Sequence, residues 1–240
     1  MKKIVLTLAV LCLAIIQANA QQIENPQKKM NELINLAFYA KANAELPPAG
    51  AGEKRVVFMG NSITYGWVLA DKVFFTANNY VGRGISGQTS VQMLLRFRQD
   101  VVELNPSAVV VNCGTNDIAE NTGAYDPALT MACVKSMSEI AQANGIKVIL
   151  SSVLPASAFG WNKDITQVAG KVDALNAQIK AYAEANGYAY IDYNSVLRNA
   201  EGGLSPEMAK DGIHPTLEAY KIMEKTAKPV IDKVLSQIAE

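Results

Sequence analysis

Apolar and polar positions along the chain follow two rhythms. Five short runs, at 55–59, 79–81, 108–112, 147–153 and 188–192, are rich in Val, Ile, Leu, Phe and Tyr, and several are continuously apolar. Continuous rather than alternating apolarity predicts strands buried on both faces. Between them the apolar residues recur at helical spacing. Val91, Leu94, Leu95, Val101 and Val102 predict a helix over 90–104 that stops at Asn105-Pro106. Asp126-Pro127 is a cap followed by a first-turn proline, and Leu129, Ala132, Cys133, Met137 and Ile140 carry that helix to Asn144-Gly145. Ile165, Val168, Val172, Leu175, Ile179 and Tyr182 mark a longer one ending at Asn186-Gly187. A terminal helix runs from Thr216 onward, with Pro229 predicted to break or kink it, and Met30, Leu33, Ile34, Ala37 and Phe38 mark a helix ahead of the first strand. The loop at 46–53, with its prolines and glycines, separates the two. Strands alternating with helices predict β-α-β units, hence an α/β domain with a five-stranded parallel sheet covered on both faces. Neither a repeat nor a linker divides the chain, so 21–240 reads as one domain, with 21–54 as its N-terminal helix and loop.

Ligands of such sheets bind beyond the carboxyl ends of the strands. The polar clusters obey that rule. Gly60-Asn61-Ser62 follows the first strand, 84–90 (Gly-Ile-Ser-Gly-Gln-Thr-Ser) the second and Gly114-Thr115-Asn116-Asp117 the third, while 211–214 (Asp-Gly-Ile-His) lies in the loop after the fifth. Each cluster alone is an ordinary turn. Four on one rim point to chemistry.

His214 is the only histidine, so any step that needs an imidazole happens there. Asp211 lies three residues earlier, within reach of one ring nitrogen in a tight turn, where it would fix the tautomer. Pro215, with its φ preset, stiffens the turn before it and suits the start of a helix. A serine hydroxyl is a weak nucleophile until a base takes its proton, so Ser62 needs His214 and His214 needs Asp211. Attack on an ester creates an oxyanion that requires preorganised donors. The Ser62 N–H is one candidate, Gly87 offers a second by letting the chain approach closely, and the Asn116 amide a third. Gly82, Gly84 and Gly87 touch on the dinucleotide fingerprint, but they follow the second strand rather than the first, which argues against a phosphate cradle.

Ser62, Gly87, Asn116 and His214, in four ordered blocks from about residue 55 to 220, resemble the signature residues of the SGNH (GDSL-type) hydrolase superfamily. The first block is similar to the platelet-activating-factor acetylhydrolase branch and related carbohydrate esterases. The resemblance implies a flavodoxin-like three-layer α/β/α sandwich and an esterase or lipase activity without cofactor. It implies Ser62 as nucleophile, His214 as base and Asp211 as its partner, with Ser62, Gly87 and Asn116 as the oxyanion hole. Two positions depart from the pattern: Asn61 replaces the aspartate usual before the nucleophile, and Gly82 stands where an asparagine is common. Trp67, Trp161, Phe159 and Tyr65 are candidates to stack on a sugar or wall an acyl pocket at the rim.

Composition adds the setting. Lys2 and Lys3, the apolar run 4–16 and Ala18-Asn19-Ala20 predict a signal peptide over 1–20, cleaved near Ala20, with export to the periplasm or beyond. A lipid anchor at Cys12 is disfavoured by the bulky Leu11. Cleavage removes two lysines and no acids, leaving 20 basic against 22 acidic residues. That balance offers no nucleic-acid footprint and no polybasic membrane patch. Cys113 ends a strand and Cys133 lies on a helix stripe, so two buried thiols are expected rather than a bridge. One histidine and scattered acids lack the ligand spacing of a zinc site. The expected partner is a small acylated substrate, foremost an acetylated glycan. The rivals are a lysophospholipase or thioesterase acting on longer acyl chains, and a glycan-binding module without catalysis.

Overall fold

The computed structural model describes residues 26–50 and 52–238, so the predicted signal peptide lies outside the described residues. The chain forms two compact units, up to Leu36 and from Ala37 onward. The described part of the first is the helix α1 (Pro26–Ile34), which ends where Asn35 turns left-handed at φ 58°.

The second unit opens with α2 (Ala40–Ala44) and then takes up the predicted alternation: β1 (Val56–Gly60), α3 (Ser62–Ala70), α4 (Lys72–Ala77), β2 (Tyr80–Gly84), α5 (Ser90–Asp100), a 3-10 turn at Val102–Leu104, β3 (Ala108–Val111), α6 (Thr115–Ile118), α7 (Pro127–Ala143), β4 (Lys147–Ser151), α8 (Val168–Ala185), β5 (Ala189–Ile191), α9 (Tyr193–Leu197) and α10 (Leu217–Ser236). The five strands form one sheet in the order β2-β1-β3-β4-β5. Every pairing is parallel, which gives the flavodoxin-type order of a doubly wound sheet.

Side chains alternate across this sheet as strand geometry demands. Val57, Met59, Val109, Val111, Val148 and Leu150 face α5, α7 and α8. Val56, Phe58, Ala108, Val110 and Ile149 face α3, α4, α9 and α10. The result is the three-layer α/β/α sandwich. The second layer is aromatic: Trp67 stacks between Phe74 and Tyr220, its ring 5.6 Å from each.

Several expectations need correction. The predicted α5 inner face keeps Leu94, Val101 and Val102 against the core, but Leu95 is 54% exposed and Met93, Arg96, Phe97 and Asp100 are buried instead. A buried ion pair, Arg96–Asp100 at 2.9 Å, occupies positions that an apolar periodicity assigns to the surface. On α7 Cys133 and Met137 are buried as predicted and Ile140 packs against the core, but Leu129 is 51% exposed and Thr130, Met131 and Val134 join the inner face. The predicted long helix begins at Val168 rather than Ile165, because Gln167 is left-handed at φ 55°. Pro229 does not break α10, which runs through it. Cys113 and Cys133 are both buried and free.

Candidate active site

The site is assembled where β1, β2 and β3 end. After Gly60 the chain turns directly into α3, and Asn61 caps that helix by accepting the Ile63 N–H at 2.9 Å. The asparagine thus does the capping work expected of an aspartate, at the cost of one buried amide nitrogen, Nδ2, without a hydrogen-bond partner. Ser62 is the first helical residue.

Gly82 and Gly84 find their reason in the same place. A Cβ on Gly82 would sit 2.2 Å from Val68 Cγ2, and one on Gly84 would sit 2.4 Å from the Asn61 carbonyl oxygen and the Tyr65 nitrogen. They let β2 lie against α3, and an asparagine at 82 has no room. The loop beyond is held instead by Ile85 N–H donating to the Gly60 carbonyl at 3.2 Å and Tyr39 Oη–H donating to the Gly84 carbonyl at 2.5 Å.

Arg96 completes this clamp. Its guanidinium is fully buried and donates to the Gly60 carbonyl (2.9 Å), Gln88 Oε1 (2.5 Å) and Asp100 Oδ2 (2.9 Å). Burial pushes its pKa below the ordinary guanidinium value, and the Asp100 carboxylate opposes that push. One side chain therefore joins the strand end that carries Ser62 to the loop that carries Gly87.

The loop between α9 and α10 brings in the remaining pair. Asp211 Oδ1 accepts the N–H groups of Ile213 (3.0 Å) and His214 (2.8 Å), while Oδ2 lies 2.6 Å from His214 Nδ1. Gly212, at φ 78°, makes the turn. Burial would raise the Asp211 pKa, but the His214 ring and these two N–H groups outweigh it and hold the carboxyl below its ordinary value. The other ring nitrogen, Nε2, lies 2.9 Å from Ser62 Oγ. With Nδ1 protonated toward Asp211, Nε2 can accept the serine proton.

Gly87 is left-handed at φ 77°. Asn116 Nδ2 donates to the Gln88 carbonyl at 2.9 Å, which seats the amide beside the Gly87 loop. Among the described residues, neither the Ser62 nor the Gly87 N–H has a protein acceptor, so both remain open to an incoming oxygen. Asp117, next to Asn116, faces inward and anchors the start of α5. Burial raises its pKa, opposed by the Ser90 hydroxyl and N–H and by Thr130.

The aromatic candidates separate. Trp67 belongs to the core, its indole N–H donating to Glu224 at 3.2 Å. Phe159 is buried behind the rim, and Tyr65 is half-buried against the edge of Phe38. Trp161 alone stands at the reactive residues, 49% exposed, with its ring 6.5 Å from that of His214.

A family model described as GDSL-like lipase/acylhydrolase matches residues 58–222. The chain belongs to that family. Its members hydrolyse ester bonds, and the protein is an enzyme of that class. It is 53% identical to a solved structure from Bacteroides fragilis NCTC 9343 named as an acylhydrolase, with a TM-score of 0.82 over 84% of this chain and 98% of that one. It is 51% identical to a GDSL-like lipase from Bacteroides thetaiotaomicron VPI-5482, with the same TM-score and coverage. It is also 26% identical, over 77% of its length and 87% of the relative's, to Esterase TesA of Pseudomonas aeruginosa. Sequence reasoning missed Arg96 and Asn121, because a buried arginine in a helix and an asparagine in an exposed loop have no pattern of their own.

Proposed function

We propose that the protein is an exported serine esterase that removes acetyl or another short acyl group from an oxygen of a carbohydrate. Ser62 Oγ attacks the ester carbonyl while His214 Nε2 takes its proton, and Asp211 orients the ring and stabilises its charged form. The oxyanion is held by the N–H groups of Ser62 and Gly87 and by the Asn116 amide. The carbon–oxygen bond to the sugar then breaks, with His214 returning the proton to the leaving alcohol. Water, deprotonated by the same nitrogen, hydrolyses the acyl-serine and releases the acid.

The observation that carries the substrate class is the setting of Trp161. Its half-exposed indole stands beside His214 on an open rim where Asp211, His214, Asn121 and Thr122 are exposed. A flat aromatic face beside the exposed Thr122 hydroxyl suits a sugar ring, which stacks and hydrogen-bonds at once. A long acyl chain calls instead for an extended apolar groove.

A chain-length series of p-nitrophenyl esters, then acetylated oligosaccharides, tests this. The expected result is a sharp fall in kcat/KM beyond acetate or butyrate and release of acetate from the oligosaccharides. A rate that climbs with chain length would instead make the enzyme a lysophospholipase or thioesterase. Sequencing of the amino terminus of the protein recovered from the periplasm or medium tests export, with cleavage after Ala20 expected.

A further inference from the structure

We propose that Asn121 is a positioning residue for the oxyanion hole, holding the Asn116 amide and the Gly87 peptide in a single orientation, with the Trp161 indole locking Asn121 itself. The proposal rests on the reading of Asn116 and Gly87 as oxyanion donors.

Helix α6 is only four residues long, and just beyond it Glu120 adopts φ 59°, a left-handed conformation usually left to glycine. The Glu120 N–H donates to the Asp117 carbonyl (3.0 Å) and the Asn121 N–H to the Asn116 carbonyl (3.1 Å). This pair of bonds folds the chain back, so that Asn121 lies over Asn116, the second residue of α6. A non-glycine residue held left-handed beside a reactive centre is strain that the surroundings maintain.

Fold-back puts the two amides in contact. Asn121 Nδ2 donates to Asn116 Oδ1 and to the Gly87 carbonyl, each at 3.1 Å. Asn121 Oδ1 accepts the indole N–H of Trp161 at 2.9 Å. A side-chain amide has two orientations of nearly identical shape that exchange donor for acceptor. For Asn116 only one is useful, because the other would aim a carbonyl oxygen at an oxyanion. With Oδ1 bound by Asn121 and one Nδ2 hydrogen given to the Gln88 carbonyl, the second hydrogen is left for the substrate. The bond to the Gly87 carbonyl fixes the adjoining loop in the same stroke. Because Trp161 can only donate, it prevents Asn121 from flipping in turn.

A kinetic double-mutant cycle with p-nitrophenyl acetate reads this directly. Asn121 is exposed, so Asn121→Ala is expected to fold with unchanged thermal stability. Its kcat should fall by on the order of 10- to 10²-fold, with KM almost unmoved, the cost of misplacing a preorganised donor. Asn121→Asp has the same size and still accepts from Trp161 but cannot donate to Asn116, so a loss matching that of alanine is expected. In an Asn116→Ala background the further loss from Asn121→Ala should shrink well below its size in the parent enzyme. Trp161→Phe, which keeps a ring and removes the donor, should lower kcat in the same direction by less. Fully additive losses, or a raised KM with normal kcat in Asn121→Ala, would overturn the positioning role alone. Normal kcat in Asn116→Ala would overturn the oxyanion assignment beneath it.

Discussion

The two ends of the sheet make opposite use of similar material. At the amino end, a cavity of about 810 Å³ opens among Lys147, Tyr188, Tyr190, Lys233 and Val234. The glycine turns that lead into it, Gly145 and Gly187, have open space where a Cβ would stand. At the carboxyl end, Gly60 and Gly84 lie where a Cβ would meet the Asn112 and Asn61 carbonyl oxygens, and the polar side chains are cross-linked: Asp211 to His214 to Ser62, Arg96 to Gln88, Asn121 to Asn116. The hollow is at one end and the ordered hydrogen bonds are at the other. Preorganised donors and acceptors, rather than volume, mark the place where charge can be stabilised as it develops.

The contrast between the ends breaks most easily at its reactive members. Ser62→Ala and His214→Ala are each expected to lower kcat by on the order of 10⁴- to 10⁶-fold, as for other triads. Tyr190→Ala in the amino-end cavity should leave kcat within roughly two-fold of the parent, as expected for a residue that touches none of the reacting atoms. Steady-state kinetics on a short ester decides, and a comparable loss at Tyr190 would erase the distinction between the ends.

Asp211→Asn should be severe but smaller than either, since the fold stays intact and the ring loses its orienting acceptor. Full activity in the folded variant would reduce the site to a Ser–His dyad. Asn116→Ala should come next, with a loss of about 10²–10³-fold in kcat, or roughly 3–4 kcal/mol, and little change in KM, because its donor is aimed at charge that appears only in the transition state.

The smallest effect is one of pH. The Asp211 carboxyl is held below its ordinary value, so it stays ionised while activity declines toward acid. Log kcat/KM should then fall toward acid with the slope of a single proton. A two-proton slope would show that Asp211 titrates in the same range.

One physical distinction separates the features the chain disclosed from those it hid. Sheet strands buried on both faces leave continuous apolar runs, which made β1, β3 and β4 legible, and the half-buried edge strands β2 and β5 were placed to within a few residues by their spacing between helices. Three of the four polar clusters were legible because each comes directly after a strand end, and the fourth, beyond α9, because it holds the sole histidine of the sequence three residues after Asp211. The inner face of α5 was not, because Arg96 and Asp100 satisfy each other in the interior and invert the pattern of polar outside and apolar inside. Helices α4, α6 and α9 were unforeseen because they are four to six residues long, too short to build a periodic signal. Trp67 was expected at the rim, yet at 2% exposure it is core. Nothing in sequence distance separates an indole pointing inward from one, like Trp161, pointing out.

Arg96 has a consequence for how this enzyme fails. Its buried charge is compensated by three acceptors that belong to β1, the Gly87 loop and its own helix. Losing Asp100 would strand a cation in the interior, a state that costs several kcal/mol, and losing the Gly60 or Gln88 acceptor would leave a buried N–H unsatisfied, at about 1–3 kcal/mol. The part of the rim between Gly60 and Gln88 therefore has no cheap way to fray on its own while the sheet beneath it stays intact, unlike an active-site lid drawn from the least stable part of a fold. Heating should extinguish activity and structure in one event. A catalyst built this way gives no early warning: it works at full rate until the temperature at which the whole domain lets go.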